Sequence, residues 1–235
     1  MSKTITLSVK GAPDMNAYLS IPWGIGPFPA LILFQEAYGV NNHMRKLADR
    51  LAAEGYLVVA PELFHRTAQA GYEAPYGDFD AVKPHFNAPT TEQIVQDTQA
   101  VYDWLSAQDN VRKNKIGSIG FCLGGRAAFI ANSAVPLAAS VSFYGGGMHT
   151  VAEELAGKLH APQLLFWAGR DQHIKPEHVA SVTEALKVAG KDHINVEISY
   201  ADHAYFNDER PSYHSQASLE SWGLTKAFLK NKLQH

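Results

Sequence analysis

Cysteine is nearly absent from this chain: of its 235 residues, only residue 122 is one, Cys122. A single thiol permits no internal disulfide, so the fold does not depend on an oxidising compartment. A lone thiolate nucleophile survives best in a reducing one, which makes the cytoplasm the expected location. Charge is also sparse, at 18% of residues, and 20 basic against 23 acidic side chains leave a formal charge of −3. No Lys/Arg block is present to follow a phosphate backbone or an anionic membrane, so nucleic acid is excluded as an expected partner. No apolar run approaches the roughly 20 residues that span a bilayer. Met1 to Leu7 lacks the long apolar core of a secretion signal, so neither export nor membrane insertion is expected. Repeats, linkers and low-complexity stretches are missing too. With 46% hydrophobic residues the chain reads as one well-buried domain over residues 1–235.

What is present is an alternation of strand and helix signals. Alternating Ile5, Leu7 and Val9, then a turn near Gly11 to Asp14, predict an antiparallel hairpin over residues 3–21. Ala30 to Phe34 reads as a central strand, and Met44, Leu47, Ala48 and Leu51 give helical spacing from His43 to Glu54, stopped by Gly55. Tyr56 to Ala60 is a second buried strand, ended by Pro61. About thirty irregular residues follow, punctuated by Gly71, Pro75, Gly77, Pro84 and Pro89. A helix from Thr90 to Ala107 is expected, with Thr90 or Thr91 as its cap. Further strands are expected at Ala138 to Tyr144, Gln163 to Ala168 and Ile194 to Tyr200, with helices near 176–188 and 214–231. The alternation predicts an α/β fold, a mostly parallel sheet with helices on both faces. Chemistry in such a sheet gathers beyond the carboxyl ends of the strands.

Cys122 lies at such an end. In Ile116-Gly117-Ser118-Ile119-Gly120-Phe121-Cys122-Leu123-Gly124-Gly125-Arg126 a short strand breaks into small residues and then a helix through about Ser133, a nucleophile elbow with cysteine in place of serine. The glycines remove side chains that would clash in a strained turn. The sulfur would stand above the sheet at a helix N-terminus, where unpaired N–H groups favour negative charge. A free cysteine taken alone is more often a buried small hydrophobe; the strand, glycines and helix around this one favour catalysis.

A nucleophile of this kind needs a base and a group that orients it, in the chain order nucleophile, acid, histidine. Asp171 follows the strand signal Gln163 to Ala168, and His203 follows Ile194 to Tyr200. Asp202 competes for the acid role, and an aspartate after a strand also caps turns. The other ten of the eleven histidines show no catalytic or metal-ligand spacing, so no metal is expected. Oxyanion donors would be the N–H of Leu123, just after the nucleophile, and that of Ala37, in the loop after an early strand.

With these pieces in place the chain resembles the dienelactone hydrolase (carboxymethylenebutenolidase-like) family of the α/β-hydrolases, nearly end to end. The resemblance rests on Gln35-Glu36-Ala37-Tyr38-Gly39-Val40-Asn41, Gly120-Phe121-Cys122-Leu123-Gly124-Gly125, Gly169-x-Asp171 and the segment at His203. It implies an α/β-hydrolase fold, a Cys122, Asp171 and His203 triad, and a Glu36 carboxylate touching the resting thiol. Like-charge repulsion from that carboxylate would oppose negative charge on the sulfur. The chain departs from the best-studied branch of the family, whose arginine four residues after the histidine is here Asn207. In the long loop only Lys83 is on offer, and Arg210 could compensate. Tyr38, Phe79, Phe86, Tyr144, Tyr205 and Phe206 are candidates for an aromatic lining suited to a less charged ester or lactone. Tyr38, Tyr144, Phe206 and Asn207 are the expected substrate contacts.

The expected activity is hydrolysis of an ester or lactone through a covalent thioester, with no cofactor, on a small-molecule substrate, by a monomer or weak homodimer. Two alternatives stand beside it. The same triad would cleave thioesters or amides, and a scaffold of this kind also occurs as a small-molecule binding protein without turnover.

Overall fold

The computed structural model describes residues 1–235. Eight strands form one sheet, β1 (Ser2–Leu7), β2 (Met15–Ser20), β3 (Phe28–Phe34), β4 (Leu57–Pro61), β5 (Val111–Phe121), β6 (Ala139–Phe143), β7 (Gln163–Ala168) and β8 (His193–Ile198). Their spatial order is β1-β2-β4-β3-β5-β6-β7-β8. The hairpin expected at the N-terminus pairs antiparallel from Ser2 opposite Ser20 to Leu7 opposite Met15, and β2 continues antiparallel onto β4. All remaining pairs are parallel, which requires the helical crossovers that the alternating sequence announced.

The helices are α1 (Asn42–Ala53), α2 (Phe79–Phe86), α3 (Thr91–Ala107), α4 (Leu123–Ala134), α5 (His149–Leu155), α6 (Pro176–Val188) and α7 (Ser215–Leu229). Side chains alternate between the faces of β5 and show that both are covered. Ser118 Oγ reaches Ala128 O of α4, whereas a Cβ on Gly117 would meet Leu233, just beyond α7. Helices α3, α4, α5 and α6 pack successively on the first face. On the other, Arg50 of α1 lies 3.9 Å over the Trp222 ring of α7. The core between these layers is one cluster of 65 buried residues. None of the helices is long and apolar enough to cross a membrane.

Thr90 caps α3 in a capping box with Gln93, as its sequence suggests. Two helices depart from the sequence reading. The thirty-residue irregular stretch contains α2, capped by Asp78 Oδ1 accepting from Ala81 N–H at 3.1 Å, with Pro84 inside it. Pro84 and Gly77 read as breakers, yet in a helix of 8 residues a proline forfeits few backbone bonds. Helix α5, hidden behind the run Gly145-Gly146-Gly147, has only 7 residues and too few turns for a periodic signal.

Close backbone approach at the β5–α4 junction makes its glycines obligatory. A Cβ on Gly124 would lie 2.3 Å from Phe34 O and 2.5 Å from Gln35 O, and one on Gly120 would lie 1.9 Å from Gly124 O. Gly223, exposed in α7 with nothing within 4 Å, is under no such constraint. Gly124→Ala is therefore expected to destabilise the protein by about 3 kcal/mol or more, and Gly223→Ala to stabilise it by about 0.5–1 kcal/mol. Urea denaturation of the two variants against the parent checks both signs.

Candidate active site

Strand β5 ends at Phe121, and the chain turns at Cys122 with φ 55° and ψ −116° before α4 begins at Leu123. A left-handed backbone is strained for a residue with a Cβ and persists only where its surroundings fix it. Here the Cys122 N–H donates to Phe143 O at 3.0 Å and its carbonyl accepts from Gly125 N–H at 2.9 Å. The bend leaves Cys122 partly exposed at the carboxyl edge of the sheet. Leu123, as the first helical residue, has no carbonyl one turn back for its N–H. The Ala37 N–H, in the loop after β3, makes no hydrogen bond within the chain.

Asp171 and His203 meet although 32 residues separate them. His203 Nδ1–H donates to Asp171 Oδ2 at 2.6 Å. The other carboxylate oxygen, Oδ1, accepts from the backbone N–H groups of His173 at 2.8 Å and Ile174 at 3.1 Å. Burial alone would raise the Asp171 carboxyl, but these donors and the imidazole charge hold it below the usual carboxylate range. Burial likewise pulls His203 down; negative charge at Cys122 and the Asp171 bond outweigh it and push the imidazole up to about 10. Asp202, the rival acid, is exposed and makes no bond to the ring.

Glu36 departs from the expectation drawn from the resemblance. It is buried, and its Oε2 accepts from Asn207 Nδ2 at 2.7 Å; no hydrogen bond joins it to Cys122, and Oε1 has no partner. An amide four residues beyond His203 offers this carboxylate a neutral donor and fixes its orientation. Asn207 Nδ2 also donates to Tyr76 Oη at 2.8 Å, and Asn41 Nδ2 donates to the same oxygen at 2.9 Å. Burial is the main reason that the Tyr76 phenol is pushed up to about 12, so it stays protonated. Tyr76 was invisible as a site residue in the sequence, because it sits in the irregular loop 131 positions from Asn207.

The aromatic candidates divide. Tyr38 packs edge-on to Tyr76 at 4.9 Å between centroids, and the Arg210 guanidinium lies 5.6 Å from the Tyr38 ring and 5.9 Å from the Tyr76 ring. The structure thus places Arg210 against the loop that carries Glu36 and Ala37. Tyr144, just past β6, has φ 37°, is fully buried, lies 5.0 Å from the His203 ring, and has a hydroxyl without a partner. Burial, then negative charge from Glu36, hold its phenol well above the usual tyrosine range. Phe206 is corrected to a core residue: it is buried and packs 5.2 Å from Phe121 and 5.0 Å from Phe143. Tyr205 is equally buried, whereas Phe79 pairs with Phe86 on the outlying α2, where Lys83 is exposed. No cluster of three or more His, Cys, Asp or Glu converges on a possible metal position.

Because its value is raised on folding, ionised His203 favours the native state. That stabilisation is complete below the ordinary histidine value of about 6.5 and is lost as pH rises through about 10. Cys122→Ala removes the charge opposite the ring and should bring the His203 titration down toward neutrality. NMR titration of the imidazole checks the direction. The stability advantage of the parent over His203→Gln, read from urea midpoints, should also shrink between pH 6.5 and pH 10.

The model of the dienelactone hydrolase family matches residues 15–233. A Synechocystis sp. protein assigned as a carboxymethylenebutenolidase is 28% identical over 251 residues, covering 100% of both chains. One from Yersinia pestis with the same assignment is 32% identical over 219 residues, covering 89% of this chain and 80% of its own. Among solved structures, a Klebsiella pneumoniae protein assigned as a dienelactone hydrolase superposes with a TM-score of 0.86 at 30% identity, covering 97% of this chain and 98% of its own. The dienelactone hydrolase from Anabaena variabilis, 20% identical with a TM-score of 0.72 and covering 99% and 98% of the two chains, shares the fold.

Proposed function

The chain belongs to the dienelactone hydrolase family, and on that premise we propose that it cleaves a carboxylic ester or lactone by acyl transfer through Cys122. The observation that carries this reading is the 2.6 Å bond between His203 and Asp171, beside a sulfur held on a left-handed bend. Asp171 fixes the imidazole so that Nε2 is free to exchange a proton with the sulfur. The thiolate attacks the substrate carbonyl, forming a C–S bond while the carbonyl π pair moves onto oxygen. That oxyanion accepts from the Leu123 and Ala37 N–H groups. Collapse breaks the bond to the leaving oxygen, which takes the proton from His203. Water, deprotonated by the same ring, then hydrolyses the thioester, releasing the acid and restoring the thiol. Beyond substrate and water, the scheme uses only side chains and backbone of the chain itself.

A thiolate is expelled from the tetrahedral intermediate more readily than an ordinary alkoxide, so turnover favours substrates whose own leaving group is good, such as enol esters and lactones. Tyr38 and Tyr76 form a wall of the site, and Arg210 over it replaces the cation that Asn207 lacks. Arg210 reaches the site electrostatically, since it opposes the upward shift of the buried Tyr144 phenol. A small lactone or enol ester with a negatively charged substituent fits this wall. A reducing compartment such as the cytoplasm suits a lone nucleophilic thiol.

Cys122→Ala should abolish turnover across a panel of aryl esters, enol esters and lactones while leaving the circular dichroism spectrum unchanged. Retained hydrolysis would end this reading. Arg210→Met is expected to raise KM about tenfold for a carboxylate-bearing lactone and to leave a neutral aryl ester within about twofold, as loss of one charged hydrogen-bonding partner implies. Steady-state kinetics on the matched pair decides it.

A further inference from the structure

The sheet ends at β8, whose outer edge pairs with no strand. Backbone groups of alternate residues in a strand point to opposite edges. The carbonyls of Asp192 and Ile198 accept from Gln163 N–H at 3.0 Å and Gly169 N–H at 2.9 Å, so the even-numbered residues of β8 face β7. The N–H and C=O groups of His193, Asn195 and Glu197 therefore line the free edge, and none of them enters a turn or loop hydrogen bond. Such a row is a template for a further strand, and natural edges are commonly blunted against it by lysine or proline. Strand β8, His-Ile-Asn-Val-Glu-Ile, contains neither.

The two faces of this strand differ. Asn195 Nδ2 donates to Thr183 Oγ1 at 3.1 Å, which places the odd-numbered side chains on the α6 face. Ile194 and Val196 lie on the other face, each in a depression that β8 shares with Leu224 of α7. Ile194 remains 42% exposed there, an apolar side chain that a single copy does not cover. From His193 to Glu197 the order is imidazole, apolar, amide, apolar, carboxylate. Reversed about Asn195, this segment is its own complement.

We propose that the β8 edge is a self-association surface: a second copy of this chain adds its own β8 antiparallel, about a two-fold axis at Asn195. Antiparallel residues exchange both N–H···O bonds only where two edge-facing residues stand opposite each other. This register meets that condition, with Asn195 opposite the partner's Asn195 and His193 opposite the partner's Glu197. His193 Nδ1 already donates to Lys191 O at 2.8 Å, which leaves Nε2 for the carboxylate. On the other face Ile194 meets the partner's Val196, twice by symmetry, and its exposed surface is covered. Other registers fit less well. An axis at Glu197 opposes like charges, which is destabilising; one at Val196 sets Glu197 against an amide; one at Ile194 pairs only residues 193–195 of each strand. The opposite edge of the sheet, β1, carries Lys3 and no acidic residue, so it lacks this self-complementarity.

Sedimentation velocity of the full-length protein from about 1 to 200 µM reads the monomer–dimer equilibrium. One strand pairing with two apolar contacts is a small interface, so Kd is expected at roughly 10⁻⁶ to 10⁻⁴ M. Ile194→Asp should raise it at least about tenfold. Glu197→His and His193→Glu each set like against like and should also weaken association, whereas the exchange of both together should restore Kd to within about threefold of the parent. A protein that stays monomeric across this range overturns the proposal. So does a dimer indifferent to Ile194→Asp and to both single charge variants, because it would use another face. The register is read separately in a Cys122→Ala background oxidised with diamide. Asn195→Cys stands at the axis, where opposed Cα atoms lie about 5.5 Å apart and a disulfide can close. It should give a covalent dimer, and Ser199→Cys, whose copies would stand roughly 25 Å apart, should give none. Equal cross-linking of the two overturns the pairing about Asn195. Should Asn195→Cys fail to fold, the restoration by the double charge exchange decides alone.

Discussion

The left-handed bend at Cys122 is the constraint on which the site depends. A strand that ended with ordinary backbone would carry the next side chain onward in the sheet or into the core. With φ at 55°, the chain reverses into α4 within one residue, and the sulfur is left at the edge beside the first helical N–H. Such a conformation is unfavourable by about 1–3 kcal/mol, and it is held by what surrounds it. The Cys122 N–H is bonded to β6, and its carbonyl is tied into α4. Three glycines let α4 press against the backbones of β3, β5 and β6 at distances that no side chain would allow. Packing rather than the turn itself therefore fixes where the sulfur stands.

Charge around that sulfur is arranged with little compensation from solvent. The Asp171 carboxylate is buried, yet it stays ionised because three donors converge on it, and it stabilises the charged His203 ring through one short bond. Glu36, in the loop after β3, is oriented by Asn207, which is itself braced through Tyr76 and Asn41. Several polar groups nonetheless end without partners at this place: one oxygen of Glu36, the Tyr144 hydroxyl and the Nε of Arg126. Segments between α1 and the loop after β8 steady this half of the site, where Lys46 and Asn42 reach Glu209 and His43 reaches Asp208.

Much of the fold was legible because its signals are local. The apolar runs of β3, β4 and β7 read as buried parallel strands, and Thr90 with Gln93 marked the start of α3. The elbow was equally readable, since Gly-x-Cys-x-Gly between a strand and a helix leaves few alternatives. Helices α2 and α5 were not, being too short for their periodicity to outweigh a proline or a run of glycines. In the site, the order Cys122, Asp171, His203 was visible along the chain. The bond from Asn207 to Glu36 was not, because it crosses 171 positions and carries no local signature. Phe206 illustrates the opposite case: an aromatic three positions beyond His203 reads as a pocket wall, and Phe121, Phe143 and Trp222 enclose it in the core.

The sequence by itself determined the chemistry on offer: one thiol, the small residues that permit a tight bend, a carboxylate and an imidazole each placed after a strand. These are properties of nearest neighbours in the chain, set by backbone sterics and by the period of apolar residues. Only the tertiary structure decided which groups meet. It chose Asp171 over Asp202, turned Glu36 toward an amide, laid Arg210 over two tyrosines and left Arg126 unpaired, because each choice depends on how the ends of separate strands come together and on what water is excluded between them.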